Sequence, residues 1–225
     1  MLMKEKESLE MVRKSEIRKK IDLIIELKKN GISCSKVLKV IEEVDRNLFI
    51  DESLKSKSNL NTALPINCGQ TISQPLVVAL MTQSLDIENS MRILEVGTGS
   101  GYQTYILSKL SRFVYTIERF KSLSLKASNL FKKLNVSNIF CRHGDGGHGW
   151  KDQAPFERII VTACAHDIPG NLVDQLSING KMIVPIGEQH NDQILKKITK
   201  LKGELIIDDL IKVRFVPLLE GKENK

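Results

Sequence analysis

From Leu94 to Tyr102 the chain reads Leu94-Glu95-Val96-Gly97-Thr98-Gly99-Ser100-Gly101-Tyr102, with glycines at alternate positions and a carboxylate two residues ahead of the first. Glycines let a backbone turn sharply and let a ligand approach it closely. A nicotinamide dinucleotide fingerprint wants its third glycine at position 102, where this chain has Tyr102. Glu95 would also repel a pyrophosphate, whereas it would welcome an ammonium group. S-adenosylmethionine fits that demand, carrying an amine, a sulfonium and no phosphate. Glu118 ends the next apolar stretch, and a carboxylate there can accept hydrogen bonds from both ribose hydroxyls. Asp145 lies in Gly144-Asp145-Gly146, where it could accept from an adenine amino group. The plainer alternative is that Glu95, Glu118 and Asp145 only cap helices or turns.

A second constellation lies upstream, in Gly69-Gln70-Thr71-Ile72-Ser73-Gln74-Pro75. Pro75 suits the first turn of a helix. Ser73, two residues earlier, has two compatible readings. Its hydroxyl could cap that helix, worth about 1 kcal/mol, or join free amides and the helix dipole in binding a substrate carboxylate. No Ser-His-Asp set and no activated cysteine stands out, and His143 and His166 read as loop or surface residues. Cys34, Cys68, Cys141 and Cys164 form no C-x-x-C pair and read as free thiols. Cys141, His143 and His148 match no standard zinc spacing, so no metal is expected.

These residues need elements to hold them. Leu9, Val12, Ile17, Ile21, Ile24, Ile25 and Leu27 recur at helical spacing from Glu5 to about Lys29, and Asn30-Gly31 ends the run. Ser33 or Ser35 starts a second helix, with Val37, Leu38, Ile41 and Val44 on one face. Residues 51–74 read as a long polar loop, and Pro75 to Leu85 as a helix. Strands are expected at Arg92–Val96, Phe113–Ile117, Asn138–Arg142, Arg158–Thr162 and Lys181–Pro185. Helices at Tyr102–Leu110, Lys121–Leu134 and Gly170–Leu176 alternate with them, which predicts a mostly parallel sheet covered on both faces. Gln193–Leu201 and Glu204–Leu218, joined by Lys202-Gly203, would add antiparallel strands at its edge. The expected organisation is one domain: a helical cap (1–50), a substrate-side loop (51–75), a cofactor-binding core (76–190) and C-terminal strands (191–225).

Composition sets the outer bounds. The 225 residues are 41% hydrophobic and 27% charged, which is globular composition. No apolar run approaches the roughly 18 residues of a membrane span. The charged N-terminus lacks the apolar core of a secretory signal, so the chain is expected in the cytoplasm, away from membranes. The net charge of +7 raises the question of nucleic acid, but the lysines are mixed with Glu, as in Lys4-Glu5-Lys6-Glu7, and aromatics are only 5%. No nucleic-acid partner is expected.

Taken together, these residues resemble one family, the protein-L-isoaspartate O-methyltransferases. The resemblance rests on the cofactor loop Leu94 to Thr104 and, more specifically, on Gly69 to Pro75, which general methyltransferases do not share. Ile159 to Ala163, Ile168-Pro169, Gly180 to Gly187 and Arg214 to Leu218 also match, so it runs from about Ile21 to Leu219. It implies a Rossmann-like class I methyltransferase fold, with S-adenosylmethionine as methyl donor and S-adenosylhomocysteine as product. It implies transfer to the stray α-carboxylate of isoaspartyl residues in damaged proteins, whose ester closes to a succinimide that reopens partly to normal aspartate. Carried over residue by residue, Ser73 matches the active-site serine, and Gln70, Thr71 and Ile72 the adjoining substrate loop. Glu95, Gly97, Thr98, Gly99, Gly101 and Tyr102 match the cofactor loop, Glu118 with Arg119 the ribose end, and Asp145 with Gly146 the adenine-side turn. Gln193 matches a C-terminal glutamine near the substrate. A monomer is expected. The chain departs from the family pattern at Asn59, Leu60, Asn67, Gly147 and Glu157. Rival functions are a methyltransferase for RNA or a small molecule, a non-catalytic nucleotide binder, and a nicotinamide oxidoreductase.

Overall fold

A computed structural model describes residues 2–188 and 192–224, with the backbone alone for residues 2–14. The side chains of Leu9 and Val12 therefore lie outside the described residues. Helix α1 (Leu2–Lys29) starts earlier than its apolar spacing predicted. Its expected stripe splits: Leu27 is buried and Ile24 partly so, while Ile17, Ile21 and Ile25 stay about half exposed; Leu23, outside that stripe, is buried. Helix α2 (Ser35–Glu43) begins at Cys34, with neither Ser33 nor Ser35 as its cap. Instead the Ser33 and Cys34 amides both donate to Gln83 Oε1 at 2.8 Å, which ties α2 to helix α3 (Pro75–Leu85).

The expected long loop is organised. Short 3-10 turns at Arg46–Phe49, Glu52–Lys57 and Asn67–Gly69 surround a small antiparallel hairpin of β1 (Leu64–Pro65) and β2 (Thr71–Ile72). The strand-turn-helix rhythm then follows as β3 (Arg92–Val96), α4 (Tyr102–Ser108), β4 (Phe113–Glu118), α5 (Lys121–Lys133), β5 (Ile139–His143), β6 (Phe156–Val161), α6 (Gly170–Asp174) and β7 (Leu176–Ile186). Strands β8 (Gln193–Lys200) and β9 (Leu205–Val213) complete it. Strand β7 is longer than the Lys181–Pro185 stretch expected, because its first residues still pair with β6, Phe156 opposite Leu176.

The seven-stranded sheet has the order β5-β4-β3-β6-β7-β8-β9. Strands β5 to β7 run parallel, and β8 and β9 are antiparallel additions at one edge. The chain moves outward from β3 through β4 to β5, then returns to place β6 on the other side of β3. Connections therefore leave the carboxyl ends of β3 and β6 in opposite directions, which opens a crevice there.

Strand pleating sends alternate residues to opposite faces. Leu94 and Val96 pack with Ile159, Val161 and Val184 on one face. Ile93 packs with Val114, Ile160, Met81 and Leu107 on the other. A third cluster joins Leu27, Val37, Ile41 and Phe49 to Val78, Tyr102 and Phe131, so the N-terminal helices share a core with α3, α4 and α5. Burying one such side chain stabilises by about 1.5–3 kcal/mol, so these clusters fix the sheet ends on which the site is built.

Candidate active site

The glycine loop sits at the carboxyl end of β3, in the crevice. The Gly97 amide donates to Ile117 O at 2.8 Å, continuing the β3–β4 ladder by one step. Gly97 has φ +96°, and a Cβ there would collide with the Thr162 hydroxyl. That hydroxyl donates to Gly97 O at 2.6 Å. Gly101 has φ +88°, and a Cβ there would come within 2.7 Å of the Phe131 ring. The loop is thus pressed between the end of β6 and α5, and only glycine fits at those two points.

Glu118 is nearly buried and lines the cavity. Its Oε2 accepts from the Gly99 amide at 2.8 Å and its Oε1 from the Phe120 amide at 3.0 Å. A carboxylate has about four lone-pair sites, so both oxygens keep acceptor capacity toward the cavity.

Two other acids are placed differently from the expectation. Glu95 does not line the cavity: it is fully buried, on the same face of β3 as Ile93. Its Oε2 accepts from Thr104 Oγ1 at 2.5 Å and Thr116 Oγ1 at 2.6 Å, while Oε1 has no hydrogen-bond partner. Burial pushes this carboxyl up to about 8 against the pull of the two threonine hydrogen bonds, and Glu118 nearby adds to the rise. It reaches the cavity only through Thr116, whose Oγ1 lies 2.6 Å from that of cavity-lining Thr98. Asp145 accepts from two backbone amides, Gly147 at Oδ1 (2.8 Å) and Gly221 at Oδ2 (2.6 Å), and by the same lone-pair count keeps further acceptor capacity. It pins the C-terminal segment, and Gly146 beside it is what lines the cavity. Gln193 is a third correction. It is completely buried, and its amide clamps Phe215, accepting from N at 2.5 Å and donating to O at 3.1 Å. Its side chain is committed to β-strand geometry and does not line the cavity.

The substrate-side loop hangs on Arg46, which the sequence reading missed. Arg46 is buried, and its guanidinium donates to Ser58 O (3.0 Å), Leu60 O (3.3 Å), Thr62 O (2.9 Å) and Ser73 O (3.1 Å). Burial pushes its pKa down. The visible signal was a lone arginine between apolar Val44 and Phe49. Because Arg46 holds Leu60 by its carbonyl, the unusual side chain at that position does not disturb the anchor. Asn59 and Asn61 donate to Glu16 (2.9 Å) and Glu26 (2.7 Å) of α1. Asn61 Oδ1 also accepts from the Leu76 amide at 2.9 Å, which serves the N-terminus of α3. Ser73 therefore does not cap α3: the N-cap is Gln74, and the Ser73 hydroxyl bonds to no described residue.

The C-terminal segment closes the site. Cys164 N donates to Val216 O (2.8 Å) and Leu218 N to Cys164 O (2.7 Å). Further on, Glu223 N donates to Arg119 O (2.7 Å) and Lys121 N to Glu223 O (3.0 Å). His143 Nε2 lies 3.0 Å and 2.9 Å from those same two carbonyl oxygens. Leu218 and Leu219 are thereby held against Arg119 and Phe120 as a wall.

The result is one cavity of about 850 Å³, open mouth included. Of the expected site residues, it brings together Gln70, Thr71, Ile72, Ser73, Gly97, Thr98, Gly99, Tyr102, Glu118, Arg119 and Gly146. Glu95, Gly101, Asp145 and Gln193 stand behind it. Phe120 and Leu219 line it without having been singled out. Its size suits a nucleoside-sized ligand, and the glycine loop, held in shape because side chains at 97 or 101 would strike Thr162 or Phe131, makes a cradle with Glu118. The described residues contain no group of His, Cys, Asp and Glu able to hold a metal ion.

Fold and cavity define a class I S-adenosylmethionine-dependent methyltransferase. A Plasmodium falciparum chain described as a protein-L-isoaspartate O-methyltransferase, in complex with S-adenosyl-L-homocysteine, superposes with TM-score 0.77 at 32% identity, covering 88% of this chain and 97% of that one. Another solved protein-L-isoaspartate O-methyltransferase gives TM-score 0.80 at 26% identity over 88% of this chain, which spans only 65% of that longer one. Relatives of the same description from Paramagnetospirillum magneticum and Rhodospirillum rubrum are 50% and 49% identical over 89% and 90% of this chain and 94% of each relative. The sequence model for protein-L-isoaspartate(D-aspartate) O-methyltransferase (PCMT) matches residues 18–223. The chain belongs to the protein-L-isoaspartate(D-aspartate) O-methyltransferase family.

Proposed function

We propose that this protein transfers a methyl group from S-adenosylmethionine to the α-carboxylate of L-isoaspartyl residues in damaged proteins, the step that starts their repair. The observation that carries the reading is the continuity of one cavity, from the glycine loop and Glu118 to Gln70–Ser73, with the Ser73 hydroxyl left unbonded. When bound, S-adenosylmethionine supplies an electrophilic methyl group. Glu118 takes the ribose hydroxyls on its remaining lone pairs. Phe120 and Gly146 would hold the adenine end, and Thr98 and Gly99 would offer their backbone to the rest of the nucleoside.

The acceptor is a carboxylate, ionised at neutral pH because its pKa is about 4. The site therefore needs no strong base, and its residues offer none. Among the described residues no histidine lines the cavity, and burial pushes Tyr102 up to about 12, so it keeps its proton. The work left to the chain is alignment. Ser73 donates its hydroxyl to one acceptor oxygen, and Arg46 fixes Ser73 by its carbonyl. The reading takes a monomer as the catalytic unit. Among the described residues no helix is long and apolar enough to cross a membrane, and the reading places the enzyme in the cytoplasm with its protein substrates. Few aromatics line the cavity, which favours a peptide acceptor over stacked bases.

The test uses labelled S-adenosylmethionine and two peptides that differ only in carrying an isoaspartyl or a normal aspartyl linkage. Base-labile label on the isoaspartyl peptide alone is the expected result. No label on either, with cofactor binding intact, would reject the reading.

A further inference from the structure

We propose that this enzyme prefers isoaspartyl sites with acidic neighbours, and that Arg214 sets the preference; this rests on the reading of the cavity given above. A wide groove leaves the cavity and shares Thr71, Ser73, Thr162, Val216 and Pro217 with it. Thr62, Ala63, Leu76, Val77 and residues 211–217 line it. A peptide whose isoaspartyl carboxylate reaches Ser73 must lay its flanking residues here.

The charge in this groove has one sign. Lys212 and Arg214 line it, and no carboxylate among the described residues does. Lys212 is already paired with Asp192 at 2.5 Å. Lys196 and Lys197 on β8 are likewise paired with Asp209 and Asp208 on β9. Arg214 differs: it is exposed and makes no ion pair or hydrogen bond among the described residues. Its backbone is nonetheless fixed, because Gln193 clamps Phe215 next to it and Phe215 packs into the core. Clamping Phe215 at both its N and its O fixes the backbone beside Arg214, which lines the groove. A guanidinium held there without an internal partner is matched by a carboxylate on the peptide, which it can engage in a two-pronged fashion.

The experiment compares three isoaspartyl peptides identical except for flanking Glu, Gln or Lys residues. At low salt, kcat/KM is expected to fall from Glu to Gln to Lys, by about fivefold in all, the size of one partly screened ion pair. The gap should close in ~0.5 M salt. Arg214→Gln should flatten the ratio between peptides and Arg214→Glu should invert it. Equal kcat/KM for all three peptides at low salt would overturn the selectivity alone. So would a preference that both Arg214 variants retain. If Arg214→Glu fails to fold, Arg214→Gln and the salt series on the unaltered enzyme still decide. No transfer to any of the three would overturn the reading of the cavity, and the selectivity with it.

Discussion

At Ser73 two jobs competed, and the fold gives one of them to Asn61, which accepts from the first free amide of α3. That leaves the serine hydroxyl for substrate. We expect Ser73→Ala to lower kcat/KM on an isoaspartyl peptide about tenfold, the loss of one hydrogen bond to a charged group. S-adenosylhomocysteine affinity and the unfolding midpoint should stay as they were, since no cap is removed. Steady-state kinetics beside a denaturation curve read both quantities, and unchanged kinetics would remove the serine from the mechanism. Glu95 makes a different prediction. Its carboxyl titrates at about 8 when folded, against an ordinary value of 4.5. Between those limits the folded state holds a proton that the unfolded chain has lost. The resulting contribution to stability is full below the lower value and disappears as pH rises through the upper one. Urea midpoints measured from about pH 5.5 to about pH 8.5 should fall more steeply for the native protein than for Glu95→Gln. Parallel slopes would mean that the folded carboxyl is already ionised.

Among the elements, the substrate-side loop depends on one buried side chain. Arg46→Met removes donors to four carbonyls and should cost about 3 kcal/mol of stability. It should raise KM for peptide substrates well above any change in cofactor affinity, because the loop carrying Ser73 loosens while the glycine loop does not. Calorimetric titration with S-adenosylhomocysteine, set against peptide kinetics, separates the two. The same contrast explains what could be read in advance. The cradle from β3 to α4 was legible because strand, glycine turn and helix follow one another within a dozen residues, and their signals are local. The side of the strand on which Glu95 falls was not, because that depends on the pleat set by the packing of Ile93 and Leu94. The partners of Asp145 and Gln193 were not legible for a related reason: they lie far along the chain, at Gly221 and Phe215. Arg46 stood out only as an arginine amid apolar residues; its partners were hidden because backbone carbonyls, unlike acids, leave no mark in the sequence.

Taken as one body, the chain should melt as one. The N-terminal helices share a hydrophobic cluster with α3, α4 and α5, so intrinsic fluorescence from Trp150 and far-UV dichroism should report a single coincident transition. Two separated transitions would divide the first 50 residues from the rest. Saturation with S-adenosylhomocysteine at a hundred times its Kd should add about 2.7 kcal/mol. The cavity wall starts at Gln70 and finishes at Leu219, so a bound nucleoside works as a clasp across about two thirds of the polymer. Damage anywhere in between, including an aged asparagine of the enzyme itself, would weaken that grip. Tightness of the nucleoside can thus serve as a gauge of the enzyme's own wear, readable on a population of molecules long before any of them unfolds.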